Sequence, residues 1–511
     1  MRISTIQAFN NGVQGLQKNY ANAIRTQEQI STGNRILTPA DDPVASVRLL
    51  QLEQQQSVLG QYKENLTAAK NSLKQEEVTL NSVNTVLQRV RELAVQAGNG
   101  ALSQVDRESI AAELGEREDE LLGLMNTRNA RGEYLFAGFQ GKTQPFVRQA
   151  DGTYSYEGDE GQRKLQIGSS LNVPISDSGK KVFQNITNAE RVASSLTVSP
   201  TGSTLSVSNA LVQDEVSFAA TPAFPDAGIS VVFGNPDAAS YEVFAYGTAT
   251  PALATGKLDS NPEQSDKLVF RGVTLQFDGV PVGGETVVVG AKSTISVAAS
   301  SNPAQSLTVA ITDPAATVAA FTPVGPLDFT IEAEAAPSTD FNFAAPLALI
   351  PGFSSVASDY PLTVQSNGLS ITLAVPPVAG DTFTLGRQAE EKQGILDTIA
   401  NLRMALEGSI DSPVGNRETR DAVAAALSNI DLGMNTVDST RGELGARMNI
   451  IDTTQADNDD VTLVNKGVQA NLRELDYAEA LSRLSFQTVI LEAAQQSYVK
   501  ISGLSLFNQL R

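Results

Sequence analysis

Along the N-terminal part of the chain, apolar residues recur at alternating steps of three and four. Ile6, Phe9, Val13, Leu16, Tyr20, Ala23, Gln27 and Ile30 trace a two-position heptad seam with one polar member. After a break, Leu52, Leu59, Leu66, Leu73, Leu80, Leu87 and Ala94 recur every seven residues. Val83 and Val90 share that seam, and Gln55, Tyr62, Ala69 and Glu76 fill its other intermediate positions. A strict seven-residue repeat commits a helix to a left-handed supercoil. The "GNG" at 98–100 ends this helix, and Ser103 with Asp106 reads as a capping box with Asp in place of Glu. Ile110, Leu114, Leu121 and Met125 then mark a returning helix.

The C-terminal end shows the same periodicity. Ile395, Ile399, Leu402 and Leu406 predict one helix. Val423, Leu427, Ile430, Met434, Val437, Leu444, Met448 and Ile451 predict a second, with Arg441 as its polar member. Leu472, Leu475, Leu481, Leu484, Leu491, Ala494, Tyr498 and Ile501 predict a third. The first and last helices, packed only on each other, make a marginal hairpin that gains stability when many copies pack side by side. The candidate assembly seam is therefore Ile6, Phe9, Val13, Leu16 and Tyr20 with Leu481, Leu484, Leu491, Tyr498 and Ile501.

The break near the N-terminus reads "QISTGNRILTPADDPVAS". Gly33 suits the left-handed position that ends a helix. Asp42 suits an N-cap and Pro43 the first helical residue, where a missing N–H costs nothing. Gly33, Arg35, Pro39, Asp41, Asp42 and Pro43 thus form a corner that re-aims one helix into the next.

Periodicity changes to two in the middle. "GVTLQFDGVPVGGETVVV" (272–289) and "GLSITLAVPPVAGDTFTL" (368–385) align without gaps. Gly272 matches Gly368, Pro281 matches Pro377, and Glu285 is matched by Asp381. Each copy predicts a strand, a Pro/Gly turn and a second strand, read as a hairpin. Two tandem β-sandwich-like units follow, preceded by a smaller β segment. The fold class is mixed: all-α ends, comprising terminal coiled-coil helices and an antiparallel helical rod, with an all-β insert. The expected domains are 1–40 with 455–511 (terminal helices), 41–139 with 387–454 (rod), 140–195 (small β segment), 196–296 and 297–386 (the two β copies).

Composition sharpens this division. Of 22 prolines in 511 residues, only Pro39, Pro43 and Pro413 lie outside 139–385. The formal charge is −20 and falls heavily on the β insert, which should project into solvent. An acidic chain argues against duplex nucleic acid and anionic membrane as partners. No run approaches the ~18 apolar residues of a membrane span, and the N-terminus has no apolar signal-peptide core. Histidine and cysteine are absent, which excludes Ser-His-Asp triads, cysteine nucleophiles and Cys/His zinc sites. Asp214–Glu215 are adjacent on one chain and so face opposite sides of a strand, and the acidic "DNDD" at 457–460 lacks the glycine of a calcium loop. The expectation is a non-enzyme with no cofactor.

"MRIST" with "QISTGNRILTPADDPVA" resembles the N-terminal signature of the flagellin superfamily in its hook-associated form. "ELDYAEALSRLSFQTVILEAAQQSYVKISGLSLFNQL" is similar to the matching C-terminal signature, and "GEYLFAGFQGKTQPF" resembles a segment that separates the hook–filament junction type from flagellin proper. The resemblance covers roughly 1–185 and 387–511. It implies terminal helices that line an axial tube, a helical rod outside them, and a β domain that projects outward. It also implies a ring-forming homo-oligomer between hook-associated protein 1 and flagellin. Such a subunit is exported through the flagellar type III channel with a chaperone and without a cleaved signal peptide, and it resides outside the cell. The corner charges Arg35, Asp41 and Asp42 would then meet a neighbouring subunit as well as cap. The alternatives are flagellin itself and an adhesin-like role for the β insert. "LQRVRELAVQAGNG" is also similar to the flagellin stretch read by an innate immune receptor, with Arg89, Leu93 and Glu113 at matching positions. On the other reading, that stretch belongs to the rod seam.

Overall fold

The computed structural model describes residues 5–509 except 260, 262–263, 301–306, 322–326, 334–340, 344–359, 377 and 379. Pro377 therefore lies outside the described residues. Helices α1 (Thr5–Thr32), α2 (Pro43–Ala97) and α3 (Gln104–Met125) open the chain. Short strands follow: β1 (Phe146–Arg148), β2 (Tyr154–Tyr156), β3 (Lys164–Gln166), β4 (Asn172–Pro174) and β5 (Ile186–Thr187). Next come β6 (Val192–Val198), β7 (Ser206–Val207), β8 (Leu211–Val212), α4 (Glu215–Ala219), β9 (Ile229–Phe233), β10 (Ser240–Ala245) and β11 (Ala254–Lys257). Strands β12 (Asp266–Phe270), β13 (Val273–Asp278) and β14 (Thr286–Ala291) complete the first β module. The second holds β15 (Ser293–Ser300), β16 (Leu307–Ile311), α5 (Pro314–Ala320), β17 (Leu327–Ala333), β18 (Phe341–Phe343), β19 (Leu362–Ser366), β20 (Leu369–Leu373) and β21 (Thr382–Ala389). The chain closes with β22 (Lys392–Gln393), α6 (Ile395–Glu407), α7 (Pro413–Arg473) and α8 (Tyr477–Gln509). Helical ends around a β insert are the fold class expected from periodicity.

Two compact units emerge, and the chain passes between them several times. One comprises Met1–Leu73, Lys164–Ile175 and Gly445–Arg511. In it, α1 packs antiparallel on α8, and the first part of α2 is tied to the last part of α7 by Lys63–Asp459 (2.9 Å) and Lys70–Asp452. Leu59, Leu66, Ala69, Leu73 and Ile451 are buried. The predicted third C-terminal helix does not begin where the spacing placed it. Helix α7 runs unbroken through 454/455 to Arg473, so Leu472 belongs to it and the expected boundary at 455 falls inside a helix. The break comes at Glu474–Asp476 because Asp476 supplies an N-cap, accepting from the N–H groups of Ala478 (2.9 Å) and Glu479 (3.1 Å).

The other unit spans Lys74–Arg163 and Ser176–Leu444. Its helical core is the heptad seam: Leu80, Val83, Leu87, Val90 and Ala94 of α2 are buried, as are Leu114, Leu121, Ile399, Leu402, Val437 and Leu444. The polar seam member Glu76 is buried because its carboxylate accepts the Asp177 N–H at 3.1 Å. Ser103 and Asp106 make the full reciprocal capping box at the start of α3. At the centre, the fully buried Glu118 carboxylate takes hydrogen bonds from Arg148 (2.6 Å), Arg403 (2.9 Å) and the Tyr154 hydroxyl (2.5 Å). Helices α3 and α6 are thereby joined to the β1–β2 ribbon by one satisfied charge network.

The β region rises from a narrow base. β5 pairs with β22, and the Asn188 N–H donates to Glu391 O at 2.9 Å. Within it, one sheet has the order β11-β10-β9-β14-β6 and faces another of order β12-β13-β7, with β8 also on β13. Ile229, Val231, Phe233, Val243, Leu275, Phe277, Val287 and Val289 fill the space between. The second module repeats this with β15-β21-β17-β18 over β16-β20-β19. Its boundaries differ from those read in the sequence: β6 opens the first module at Val192, and Lys292 is the divide between the two.

The repeated motif is not a hairpin. β13 and β14 lie in opposite sheets, as do β20 and β21. The intervening stretch is long, and an acidic side chain closes it from inside: Glu285, buried, accepts from the N–H groups of Val282 (2.7 Å) and Gly283 (2.9 Å), and Asp381 accepts from Val378 N–H at 2.9 Å. Alternating apolar positions of both strands thus face one core from two sides. The true tight hairpins lie just upstream, at Arg271–Gly272 and Asn367–Gly368, all four residues with positive φ. The acids weighed for catalysis are structural. Asp214 caps α4 through Ser217 N–H, and Glu215 forms a bidentate pair with Arg191 (2.8 and 2.7 Å).

Candidate functional site

The α1–α8 pair and the corner beside it hold most of the residues singled out by sequence. On α1 the face turned to α8 is Val13, Leu16, Asn19, Ala23, Thr26 and Ile30, all buried or half-buried. On α8 the matching row is Ala480, Leu484, Gln487, Leu491, Ala494 and Tyr498. Gly12 sits against the Tyr498 ring, so the two helices approach closely there. Tyr20 and Leu481 stay outside the α1–α8 contact, 58% and 53% exposed. A stripe of apolar residues two rows wide leaves the buried row ambiguous, and packing selected Asn19 and Ala480 instead. Ile6, Phe9 and Ile501 lie within α1 and α8, but their side chains are outside the described residues.

Tyr20, Ile24, Leu481, Phe486, Val489, Ile490 and Val499 are apolar side chains left exposed around the sides of α1 and α8 that do not face each other. Phe486 and Val489 are 68% and 62% exposed. Exposed apolar area of this kind is area that a further chain can cover.

The corner is pinned to the C-terminal segment by backbone. Gly33, at φ +71°, ends α1 by donating to Gln29 O (2.8 Å) and accepts from Leu475 N–H (2.9 Å). Arg35 N–H donates to Arg473 O (2.8 Å), its guanidinium to Leu472 O (3.0 Å), and the Arg473 guanidinium to the Asn34 side chain (3.0 Å). Asp41 accepts from Leu37 N–H (3.0 Å) and Thr38 N–H (2.9 Å) and is paired with Arg25, while Asp42 caps α2 through Ala45 N–H (2.9 Å). Arg35 and Asp42 approach to 3.9 Å. Pro43 is the first residue of α2, and Pro39 falls in the turn before it. Arg25, Arg35, Asp41, Asp42, Glu479 and Arg483 line a polar groove of about 720 Å³ beside this turn. Sequence reading missed Arg25, Asn34, Arg473 and Asp476. The "D-Y-A-E" run at 476–479, an N-cap signal, was the available clue to the last.

The remaining candidates lie in the other unit. Arg89 donates to Glu113 (2.8 Å) and Glu92 (3.0 Å), and these hydrogen bonds, Glu113 first, raise its pKa. Leu93 is buried in the rod seam, so the expected receptor-like patch loses its aliphatic member at the surface. Among the described residues no group of side chains is arranged to hold a metal ion, and no helix is long and apolar enough to cross a membrane.

Comparison with known proteins accords with this architecture. Residues 3–141 match the family described as bacterial flagellin N-terminal helical region. That match is confined to the N-terminal helices and the segment just after them, where the N-terminal signature lies. The chain is 35% identical over 188 residues to flagellar hook-associated protein 3 of Escherichia coli (strain K12), covering 37% of this chain and 58% of that one. Flagellar hook-associated protein 3 of Salmonella typhimurium shows the same values. A Listeria monocytogenes flagellin matches at 31% over 114 residues, covering 22% of this chain and 40% of the flagellin. The match thus spans somewhat over half the length of the hook-associated relatives and a smaller share of the flagellin. A crystal structure of hook-associated protein 3 from Legionella pneumophila aligns over 83% of this chain and 98% of its own, at 23% identity and a TM-score of 0.47.

Proposed function

We propose that the chain is a structural subunit of the bacterial flagellum at the junction between hook and filament. It forms a ring of identical copies, with hook-associated protein 1 on one side and flagellin on the other. It catalyses nothing and works by packing. The α1–α8 pair belongs to the tube wall, the α2, α3, α6 and α7 helices form the rod, and the β modules face outward. Export through the flagellar type III channel, with a chaperone, brings it outside the cell.

The observation that carries this reading is the set of apolar side chains left exposed on α1 and α8, supported by a match that covers a larger share of hook-associated protein 3 than of the flagellins. Val489→Asp and Phe486→Asp place a charge among these exposed side chains without touching the α1-facing ones. The free protein should stay folded by circular dichroism, because the new carboxylate meets water. In the ring it would be buried unpaired, at a cost of several kcal/mol. A strain whose only copy carries either change should export it yet release unpolymerised flagellin and fail to swim. Normal filaments on that strain would refute the reading. A tag in the β insert should label only the hook–filament boundary. Labelling along the whole filament would favour flagellin instead.

A further inference from the structure

The second β module begins and ends at a single point. Lys292, the residue between β14 and β15, accepts at its carbonyl from the Glu390 N–H at 3.1 Å, and its ammonium lies 3.3 Å from the Glu390 carboxylate. Between these two residues the strands of the outer module pair only with one another among the described residues. Element by element they repeat the inner module: β15 stands for β6, β16 for β7 and β8, α5 for α4, β17 for β9, β18 for β10, and β19 to β21 for β12 to β14.

The repeat extends to one unusual detail. In the inner module, Gly272 O accepts from Gln213 N–H (3.0 Å) and Asp214 N–H (3.3 Å) just before Asp214 caps α4. In the outer, Gly368 O accepts from Thr312 N–H (2.8 Å) and Asp313 N–H (3.1 Å) before Asp313 caps α5 through Ala315 and Ala316 N–H. A Cβ on Gly272 would fall 2.2 Å from Asp214 O, and one on Gly368 2.4 Å from Asp313 O. Both hairpins therefore need glycine to receive their capped turn.

That turn meets the neighbouring module as well. Ala315 packs where Gly228 and Gly290 of the inner module leave space: a Cβ on Gly290 would fall 2.6 Å from Ala315 N, and one on Gly228 3.2 Å from Ala315 Cβ. The Tyr246 hydroxyl donates to the Asp313 carboxylate (3.0 Å), and the Ser195 hydroxyl donates to Thr312 O. Burial, then the neighbouring Asp313 carboxylate, pushes the Tyr246 hydroxyl up to about 12. It therefore stays protonated, and a donor, near neutral pH.

We infer that the inner module carries a preformed receptor face, built from Gly228, Gly290, Ser195 and Tyr246, whose occupant is the Asp313-capped turn of this chain's own outer module. The outer module is a detachable repeat seated on that face. The inner module folds without it.

Two experiments on the whole chain test this. In the first, residues 293–389 are removed and Lys292 is joined to Glu390 through one glycine. Hydrogen exchange in β9, β10 and β14 should stay within about threefold of the full chain. Loss of protection throughout the inner module would overturn independent folding. In the second, Ala249→Cys and Thr363→Cys accept spin labels in a chain with no native cysteine. The distance distribution between labels should be narrow, and Gly290→Ala should broaden it while exchange within the outer module is unchanged. An equally narrow distribution in the variant would overturn the seating. If Gly290→Ala disturbs β14 itself, Ala315→Leu enlarges the same contact from the other side and is read in the same way.

Discussion

Replacing Gly33 by alanine tests whether the corner is a built joint or a loose connection. At φ +71° a side chain costs about 1–2 kcal/mol for backbone alone. The new Cβ would also stand 2.9 Å from the Tyr477 hydroxyl. That hydroxyl ends a half-exposed ring, which can swing aside, so the backbone term dominates. Two hydrogen bonds report on the joint: Leu475 N–H to Gly33 O and Arg35 N–H to Arg473 O. A loss of about 1–2 kcal/mol should speed exchange at these two amides roughly 5- to 30-fold, with little change in the rod. Gly60→Ala is the control. Gly60 lies inside α2 with open space around its Cβ position, so alanine there should stabilise by about 0.5–1 kcal/mol. The same substitution thus has opposite signs at two glycines. If Gly33→Ala leaves exchange at Arg35 and Leu475 unchanged, the corner is not held by this turn and its role as a joint is wrong.

The whole β insert should be removable. Its base is the β5–β22 ladder, so an Asn-Gly turn joining Asn188 to Glu391 should give a chain that is exported and carries filaments; a folded, exported variant without filaments would show that the insert makes an essential intersubunit contact. A joint at Thr197 and Gly386, natural from composition, would instead cut through β6 and β21. A third expectation concerns acid. Hydrogen bonds from Asn129 and then Arg163 lower the pKa of Glu133, so its contribution to stability is complete above the unfolded value of about 4.3 and is lost as pH falls through the lower folded value. The gap in urea midpoint between the wild type and Glu133→Gln should be constant near neutrality and shrink below about pH 4; a gap that stays flat into acid would contradict the assignment.

Sequence by itself determined which stretches are helical and which are β, and that helical ends flank a β insert. A heptad from Leu59 to Ala94 admits one buried face, and that face is buried. Gly33, Asp42 and Pro43 carry local backbone chemistry, and local chemistry is legible because it needs no distant partner. Ambiguity began wherever two choices were locally equal. α1 and α8 each offer two adjacent apolar rows, and only their mutual packing decided that Tyr20 and Leu481 face outward. The motif around Pro281 and Gly284 alternates as a hairpin would, yet only the opposing sheet decided that β13 and β14 part company. The docking of α5 on Gly228 and Gly290, and the meeting of Lys292 with Glu390, join positions far apart in the chain. No local pattern encodes such pairs, because their energy comes from surfaces that exist only once both modules have folded.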